Sequence, residues 1–457
     1  MRLKRVMIGA PKSGSGKTTL TCALLQALKN QGKKVISYKC GPDYIDPMFH
    51  ETVLQIPSKN LDTFFCGEED TKRLFLEGRT GDEFAVIEGV MGLFDGLGGI
   101  REEGSSYHLA KITKTPIILI VDAKGMGRSV LALISGFLGY DKEHLIKGVI
   151  LNRMSKAYYH IIKPLIEEEL KIKVVGYFPD QKENSVGSRH LGLVMPEEIS
   201  DIRKKLEKLS ETFKTTVSLE QIEEIGKSAE NLADDSTDIR KIQKCTEDEK
   251  PVIGVAKDEA FCFYYRDNLK LLESYGARIR FFSPLHDREI PKVCDGLLFG
   301  GGYPELYAKK LSDNISMKES IRSAALKGMP IVAECGGFMY LHSSLIDPEG
   351  VSHAMADVVR GECFYTGKLV RFGYVEIEEK DSHFLPVNQK IKGHEFHYYD
   401  STRNGMDCIC RKPVSGQEYS FVIANENQWL GFPHLYYPSN PAFAKAFTEK
   451  AVKYKNR

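Results

Sequence analysis

The sequence predicts an α/β protein built from two domains. An apolar run, a glycine-rich loop and an amphipathic segment follow one another at the N-terminus, short apolar runs then alternate with helical periodicity, and a polar stretch interrupts that alternation. The length of 457 residues also exceeds what one hydrophobic core usually organises. We therefore expect a first domain over residues 1–227, a linker over 228–250 and a second domain over 251–457.

The N-terminal loop runs from Gly9 to Thr19 and reads GAPKSGSGKTT. Its position between a predicted strand and a predicted helix suits phosphate, because loop N–H groups and the helix N-terminus attract anions. Lys17 would reach the outer phosphates, and Thr18 would hold Mg²⁺. Pro11 departs from the strict motif, and the alternative is a flexible connection with a surface lysine. The candidate ATP-binding residues are Lys12, Ser13, Gly14, Ser15, Gly16, Lys17, Thr18 and Thr19.

Carboxylates follow two of the predicted strands. Asp43 and Asp46 lie in the loop CGPDYIDPMFH, whereas Glu88 ends the next apolar strand and Asp95 lies in the glycine-rich loop beyond it. Because the carboxyl ends of parallel strands form the ligand edge of a sheet, these four side chains are candidates to bind Mg²⁺ directly or through water. For the first two, an equal alternative is a turn built from aspartate and proline. We take Thr18, Asp46 and Glu88 as candidate metal ligands.

The alternation continues through the apolar runs PIILIV and GVIL, which predicts a parallel, doubly wound sheet. Asn152 follows the second run, and its amide can read a purine edge or form a turn. Arg189 and His190 in SRHLGL can grip an anionic substrate or cap local structure before a helix near Pro196. The residues alone leave both choices open.

Composition and charge limit the classes of partner and the cellular compartment that we expect for the chain. With 63 basic and 62 acidic residues, the net charge of +1 favours neither nucleic acid nor an anionic membrane. The first apolar run is too short for a signal peptide, and no segment approaches the length of a membrane span. The ten cysteines are scattered without a CxxC pair, which suits a reducing compartment. We therefore expect a cytoplasmic protein.

The second domain centres on the string PIVAECGGFMYL. Its apolar strand leads into a turn of small residues that carries Cys335, as in a nucleophile elbow at the start of a helix. A buried structural cysteine is the ordinary alternative. His434 can act as the base, and backbone N–H groups of glycines can form an oxyanion hole. The candidate oxyanion-hole residues are Gly301 and Gly302, from the GGG run, and Gly336.

Longer strings along nearly the whole chain resemble the cobyrinic acid a,c-diamide synthase family, two-domain glutamine amidotransferases of corrinoid biosynthesis. These strings are SGSGKTT, KCGPDYIDPMFH, NLDTFF, IEGVMGLFDG, SRHLGL, AFCFYYRDNLKLLE, FFSPL, GGGYPE, AECGGFMYL, RFGYVEI, GHEFHYYD and PSNP. The resemblance implies an ATP-binding domain like dethiobiotin synthetase, joined to a class I, triad-type glutaminase domain.

The resemblance also implies roles for individual residues. Cys335 matches the glutaminase nucleophile, His434 matches the histidine that activates it, and Lys17 and Thr18 match the phosphate loop. The acidic positions associated with Mg-ATP and substrate activation are Asp46, Glu88 and Asp95.

Two residues depart from the wider amidotransferase pattern. Ala333 takes the first glycine position of the elbow motif G-x-C-x-G, and Tyr436 stands where an acidic residue usually follows the histidine by two positions. The second departure is shared with the cobyrinate subfamily. It leaves the group that orients His434 unassigned.

The implied reaction is amidation of the a and c acetate side chains of cobyrinic acid or a related tetrapyrrole, through acyl phosphates. ATP and L-glutamine are the co-substrates, Mg²⁺ is the cofactor, and a homodimer is the candidate assembly. Nickel sirohydrochlorin a,c-diamide synthase and cobyric acid synthase are alternatives of the same class, and the loop GPDYIDPMFH favours a,c-diamidation over the latter. An alternative of another class is a partition-type ATPase switch, against which Cys335 and His434 argue.

Overall fold

The computed structural model describes residues 3–181, 196–232 and 250–457. The chain forms two compact units that divide between Thr237 and Asp238. Most of the predicted linker, together with Arg189 and His190, lies outside the described residues. The linker bounds and the roles of these two side chains therefore stay predictions. Within the described ranges, no helix combines the length and apolarity that crossing a membrane requires.

The first unit alternates strands with helices. Its strands are β1 (Lys4–Gly9), β2 (Val35–Cys40), β3 (Ser58–Leu61), β4 (Phe84–Glu88), β5 (Ile117–Asp122), β6 (Ile146–Asn152) and β7 (Lys173–Phe178). Its helices are α1 (Lys17–Asn30), α2 (Ile45–Thr52), α3 (Glu68–Leu76), α4 (Ser106–Ile112), α5 (Ser129–Tyr140), α6 (Lys156–Leu170), α7 (Pro196–Thr216) and α8 (Leu219–Lys227).

The strands of the first unit form one parallel sheet in the order β3-β2-β4-β1-β5-β6-β7. The order reverses around β1, since β2, β3 and β4 lie on one side of it and β5 to β7 on the other. Ligands bind at such reversal points, beyond the carboxyl ends of the strands. The phosphate loop after β1 and Glu88 at the end of β4 therefore share one edge. This topology confirms the predicted α/β fold.

Helix α1 shows how the apolar pattern determines packing. The spacing of leucine and alanine along it predicted one buried face, and the residues of that face are at most 2% exposed. The helix begins directly after Gly16, whose φ of 95° lets the loop turn sharply into the first helical turn. The predicted face comprises Leu20, Ala23, Leu24, Ala27 and Leu28.

The second unit has more strands than helices. Its strands are β8 (Val252–Ala256), β9 (Phe261–Phe263), β10 (Arg278–Phe282), β11 (Gly296–Phe299), β12 (Gly301–Gly302), β13 (Ile331–Glu334), β14 (His342–Ile346), β15 (Ser352–Ala354), β16 (Val359–Tyr365), β17 (Arg371–Glu379), β18 (Lys390–His397), β19 (Tyr399–Ser401), β20 (Cys408–Arg411), β21 (Glu418–Phe421), β22 (Ile423–Ala424), β23 (Gln428–Gly431) and β24 (His434–Leu435). Its helices are α9 (Arg266–Ser274), α10 (Ala308–Asp313), α11 (Ile315–Leu326), α12 (Gly336–Tyr340) and α13 (Pro441–Lys455).

A six-stranded sheet of order β10-β8-β11-β13-β23-β22 forms the centre of the second unit. Its first five strands are parallel, and β22 pairs antiparallel at the edge. This sheet confirms the predicted α/β architecture. The unit also contains two sheets that were not predicted from sequence, β15-β14-β16-β19 and β21-β20-β17-β18-β24, of which the second is antiparallel throughout.

Candidate active sites

The phosphate loop connects β1 to α1. Gly14 and Gly16 adopt φ angles of 76° and 95°, a backbone region that favours glycine. The Ser15 hydroxyl donates a hydrogen bond to the Lys12 carbonyl at 2.9 Å, and the Lys17 ammonium donates to the same carbonyl at 3.3 Å. These contacts fold the loop around the start of the helix, where N–H groups can face an anion. Of the remaining predicted residues, Ser13 is exposed and Thr18 and Thr19 are half-buried.

Thr18 contacts the end of β4, and Lys17 contacts the loop that follows β4. The Thr18 hydroxyl donates to Glu88 Oε1 at 2.6 Å, and the Lys17 ammonium donates to the Met91 carbonyl. Burial, together with the charge of Lys39, lowers the pKa of Lys17 to about 8, and Glu88 partly opposes this effect. The residues predicted to serve phosphate and metal thus meet one of the predicted acidic residues.

A buried lysine bridges the acidic residues. The Lys39 ammonium, on β2, lies 2.8 Å from Glu88 Oε1 and forms an ion pair with Asp46. Asp43 Oδ2 lies 3.9 Å from the same ammonium, while Asp43 Oδ1 accepts the Ile45 N–H at 2.8 Å near the start of α2. Asp46 therefore belongs to a buried charged cluster and Asp43 stabilises a turn, while their proposed roles toward metal and substrate stay predictions.

Burial and Lys39 together determine the charges of this cluster. Burial and the neighbouring Asp46 raise the pKa of Glu88 to about 7, against the opposing effect of Lys39. Burial also disfavours the ionised form of Asp46, but Lys39 outweighs it, so the pKa of Asp46 is lowered. Burial likewise opposes the charge of Lys39, but Glu88 and Asp46 raise its pKa well above the ordinary value. At neutral pH the ion pair is charged, and Glu88 is close to its midpoint.

The donors predicted for Mg²⁺ are the oxygens of Thr18, Asp46 and Glu88. Within the described part of the chain, Glu88 Oε2 is buried without a hydrogen-bond partner and lies 3.8 Å from Nε2 of His50. Burial lowers the pKa of His50 to about 4, so this imidazole is neutral. Across the same residues, no three histidine, cysteine or carboxylate side chains converge as a metal site. Hard oxygen donors with one unused carboxylate oxygen still fit Mg²⁺ that also binds ligand phosphates.

The glycine-rich loop after β4 packs against the phosphate loop. A Cβ atom on Gly92 would lie 2.7 Å from the Pro11 carbonyl oxygen, so the two backbones meet only with glycine there. Asp95 is exposed, and its Oδ2 accepts the Gly92 N–H at 3.0 Å. Its charge partly offsets the lowering of the Lys17 pKa. Asp95 therefore belongs to the exposed rim of the site, apart from the buried Lys39 cluster.

Asn152 braces the phosphate loop from the end of β6. Its Nδ2 donates to the Ser15 carbonyl at 2.8 Å, and its Oδ1 accepts the Arg153 N–H at 2.9 Å. A Cβ atom on Gly16 would lie 2.3 Å from the same Nδ2. Both ends of the amide are engaged within the protein, and the side chain holds the phosphate loop in place. The purine contact suggested from sequence stays a prediction.

Cys335 lies between β13 and α12 with φ of 46° and ψ of −107°. A side chain at such a φ is uncommon and marks a strained turn. The Cys335 N–H donates to the Gly431 carbonyl at 2.8 Å, and its carbonyl accepts the Met339 N–H at 2.9 Å. A Cβ atom on Gly337 would lie 2.5 Å from Phe299 Cβ, which explains the small residue in the turn. This is the backbone geometry of a nucleophile elbow.

The structure brings the predicted glycines together with His434. A Cβ atom on Gly301 would lie 2.3 Å from Cε1 of His434, and one on Gly336 would lie 3.1 Å from the Gly302 nitrogen. The imidazole thus packs on the glycine backbone next to the elbow. Gly300, the first glycine of the run, donates its N–H to the Tyr264 hydroxyl at 2.8 Å.

The thiol and the histidine are both buried and neutral. Burial, with a smaller contribution from Glu305, raises the pKa of the Cys335 thiol to about 12. Burial, followed by His394 and His397, holds the pKa of His434 well below its ordinary value. The His394 ring stacks on the His434 ring, with centroids 4.9 Å apart and planes inclined by 16°. Since the thiol does not ionise by itself, it needs a base, and a neutral imidazole can accept its proton.

Family models match both units. A CobQ/CobB/MinD/ParA nucleotide binding domain matches residues 6–194, and a CobB/CobQ-like glutamine amidotransferase domain matches residues 252–426. The first range contains the phosphate loop and Glu88, and the second contains Cys335. These matches support nucleotide binding by the first unit and assign the second to the amidotransferase domains.

Three similar proteins span almost the whole chain, and each is named cobyrinate a,c-diamide synthase. The protein of Caldanaerobacter subterraneus subsp. tengcongensis is 40% identical over 433 residues, 94% of each chain. That of Listeria innocua is 39% identical and covers 96% of this chain and 98% of its own. That of Thermoplasma volcanium is 38% identical and covers 100% and 99%. The chain belongs to the cobyrinate a,c-diamide synthase family.

Within this member of the cobyrinate a,c-diamide synthase family, Lys39 is a central residue of the first site that was not among the residues predicted from sequence. A cation in an otherwise uncharged buried strand, directly before a loop with two aspartates, was the available signal. Its partner Glu88 is 49 residues away, so the ion pair itself could not be read from local sequence.

Proposed function

We propose that this chain amidates the a and c acetate side chains of cobyrinic acid, using ATP and glutamine. One observation carries the proposal: this member of the family contains two centres. One is a phosphate loop with Lys17 and Thr18, and the other is a strained turn that carries the Cys335 thiol next to His434. Neither centre alone suffices, because a carboxylate resists direct attack by ammonia and free ammonia is scarce at neutral pH.

In the first unit, we propose transfer of the γ-phosphoryl group to the substrate carboxylate, which gives an acyl phosphate that ammonia displaces. Lys17 would neutralise charge on the transferring group. The Lys39 cluster would hold Glu88 and Asp46 in place before ATP binds, which avoids reorganisation during the reaction. Asp95 and Asp43 would contact the substrate from the rim of the site.

Thr18, Asp46 and Glu88 would hold Mg²⁺, which supplies positive charge to the phosphates when bound. The unused Oε2 of Glu88 and the hard oxygen donor set support this assignment. Occupation of the site would also favour the ionised form of Glu88, whose pKa lies near 7 without metal.

In the second unit, the Cys335 sulfur would attack the amide carbon of glutamine while His434 takes the thiol proton. His434 would then return a proton to the leaving ammonia, and water would hydrolyse the glutamyl thioester. N–H groups of Gly301, Gly302 and Gly336 would stabilise the oxyanion. The contact of His434 with Gly301 supports this grouping.

We further propose a cytoplasmic homodimer. The scattered cysteines without a CxxC pair support a reducing compartment. Light scattering during size-exclusion chromatography measures the assembly directly, and a monomeric mass would contradict the dimer.

The test is incubation of the purified chain with Mg-ATP, glutamine and one macrocycle, either cobyrinic acid or nickel sirohydrochlorin, followed by mass spectrometry. We expect two successive replacements of a hydroxyl by an amino group on cobyrinic acid, with hydrolysis of ATP and glutamine. Omitting ATP and, separately, using the Lys17→Ala variant are the controls.

Each alternative gives a different product. Faster diamidation of nickel sirohydrochlorin would move the substrate to that macrocycle, and amidation only of an already a,c-diamidated corrinoid would indicate cobyric acid synthase. ATP hydrolysis without any amidated product or glutamate would support the partition-type switch and contradict the proposal.

A further inference from the structure

The first step of glutamine hydrolysis creates a charge in the thiol centre. Cys335 and His434 are both neutral and buried at rest, and transfer of the thiol proton turns the imidazole into an imidazolium. A cation in such a site is costly unless a partner of opposite charge is close. The second nitrogen of the imidazole ring must also be held so that the first can face the thiol.

The residue two positions after the histidine does not supply that partner. Tyr436 stands there, and its hydroxyl donates to Asp267 Oδ2 at 2.9 Å, which ties it to α9. The usual acidic residue is therefore replaced by a side chain with another contact.

Glu334 supplies a carboxylate from a different element. It is the last residue of β13, directly before Cys335, and its Oε2 lies 3.9 Å from Nδ1 of His434. The two side chains are 6% and 4% exposed. Within the described part of the chain, Glu334 Oε1 has no hydrogen-bond partner. A buried carboxylate with an unused oxygen next to a nucleophile destabilises the fold, so its presence calls for a role.

We propose that Glu334 is the positioning residue that orients His434 and stabilises its imidazolium, a role that rests on the proposed glutaminase function. The Glu334 carboxylate accepts the Nδ1–H of His434, which leaves Nε2 to take the Cys335 proton as sulfur attacks the amide carbon. The carbon–nitrogen bond then breaks, and the Nε2 proton goes to the departing ammonia. Glu334 stays ionised throughout, so protons balance. A separation of 3.9 Å is long for a hydrogen bond, but such contacts tighten when substrate binds.

This role requires the ionised form of Glu334. Burial raises the pKa of Glu334 to about 8, and the Leu435 N–H and the Tyr437 hydroxyl partly oppose that effect. Glutamine hydrolysis should therefore increase with pH up to about 8 as the carboxyl group loses its proton. The titratable groups that face Glu334 are His434 on β24, Tyr437 two residues after β24, Tyr264 between β9 and α9, and the adjacent Cys335.

The test is the pH profile of glutamine hydrolysis by the full chain and its Glu334→Gln variant. We expect kcat to fall about 100-fold in the variant, within the range for loss of acid–base assistance, while KM for glutamine stays unchanged. The rising limb near pH 8 should disappear, because glutamine at this position cannot ionise. Glu334→Asp should keep the limb with a lower kcat, since a shorter carboxylate still ionises.

Glu379→Gln is the matched control. Its carboxylate is also buried and accepts three backbone N–H groups, from His383, Phe384 and Leu385, so its loss perturbs the same unit without touching the thiol centre. The control should keep the wild-type pH profile. Amidation from ammonium salt should remain normal in all three variants.

The outcomes distinguish failure of the proposed function from failure of the positioning role of Glu334. If the wild-type chain does not hydrolyse glutamine, the proposed function fails and this role fails with it. If the wild-type chain is active and Glu334→Gln keeps both its kcat and its rising limb, the positioning role is wrong while the proposed function stands. A rising limb that is lost equally in Glu379→Gln would also overturn the role.

Discussion

The two candidate centres differ in whether they contain charged side chains before the reaction begins. In the first unit, Lys39 forms a buried ion pair with Asp46 before any ligand is present, and Glu88, whose pKa is about 7, lies beside the same ammonium. In the second unit, Cys335 and His434 are buried as neutral groups. One centre therefore holds charge permanently, and the other creates it only during the reaction.

The difference follows from the substrates proposed for each centre. ATP and a carboxylate bring several negative charges, so fixed cations and hydrogen-bond donors must be in place when they arrive. The side-chain amide of glutamine is neutral, so the thiol and the imidazole need no charge before the thiol proton is transferred. Substitutions in each centre test the two halves of this contrast separately.

Cys335→Ser should inactivate only the centre of the second unit, which contains Cys335 and His434. We expect glutamine-dependent amidation to fall by roughly 10⁶-fold, as on loss of a catalytic nucleophile. Amidation from added ammonium salt should stay at the wild-type rate, because the acyl phosphate forms without the thiol. Product formation with both nitrogen donors is the measurement, and equal loss with both would contradict the separation of the two centres.

Lys17→Ala should inactivate the centre of the first unit, which contains the phosphate loop and the Lys39 cluster. We expect product formation to fall by about 10²–10³-fold with either nitrogen donor, the usual effect of removing one electrostatic contact to a reacting group. Glutamine hydrolysis measured alone, without ATP or macrocycle, should persist, which is the internal control. Ammonium-dependent amidation at the wild-type rate would show that the phosphate-loop assignment is wrong.

Lys39→Met should reveal how much the buried ion pairs stabilise the first unit. Removing the cation leaves Asp46 and Glu88 buried without a counter-charge, so we expect the free energy of unfolding to fall by about 3–5 kcal/mol. Adding Glu88→Gln to this variant should recover part of the loss, since one carboxylate is then gone. Urea denaturation measures both.

Lys34→Met is the control for this comparison. Lys34 forms an exposed ion pair with Asp82, at 72% and 50% side-chain exposure, so its loss should leave the unfolding curve unchanged. Similar effects of the two lysine substitutions would show that the Lys39 cluster is screened by solvent.

A further effect should appear in the pH dependence of the stability of the second unit. Glu334 in the unfolded chain loses its proton near the ordinary pKa of 4.5, whereas the folded chain keeps it up to a pKa of about 8. The folded state binds more protons in that window, so this group's contribution to stability decreases as pH rises from 4.5 to 8. Glu334→Gln should therefore have a higher Tm than the wild-type chain at pH 8 and a similar Tm at pH 4. Thermal unfolding at both values measures this, and a lower Tm at pH 8 would contradict the uncompensated burial of Glu334.

Local signals were enough to predict much of both centres. The apolar periodicity on either side of Gly14 and Gly16 indicates a strand before them and a helix after them. The two glycines indicate a tight loop between these elements, because glycine tolerates positive φ angles. Cys335 could be identified because an apolar strand, a small-residue turn and an apolar helix follow one another within twelve letters of sequence. Such features depend on residues near one another in the chain, which is why the sequence alone suggested the fold class and the two reactive side chains.

Contacts between distant residues depended on the tertiary structure. Lys39 pairs with Glu88 only because β2 and β4 are neighbours in the sheet, and Tyr436 contacts Asp267 across 169 residues of sequence. The sequence left Asn152 open between a base contact and a turn, and only the closeness of β6 to the phosphate loop shows that its amide also donates to the Ser15 carbonyl.

Periodicity, glycine placement and turn chemistry act over a few residues, so the two α/β architectures, the phosphate loop and the position of the thiol could be predicted from the chain alone. The tertiary structure decided which charges are paired, which amide is already engaged and which carboxylate faces His434. Those outcomes depend on strand order and on burial, and both arise only when segments far apart in the chain pack together and exclude water.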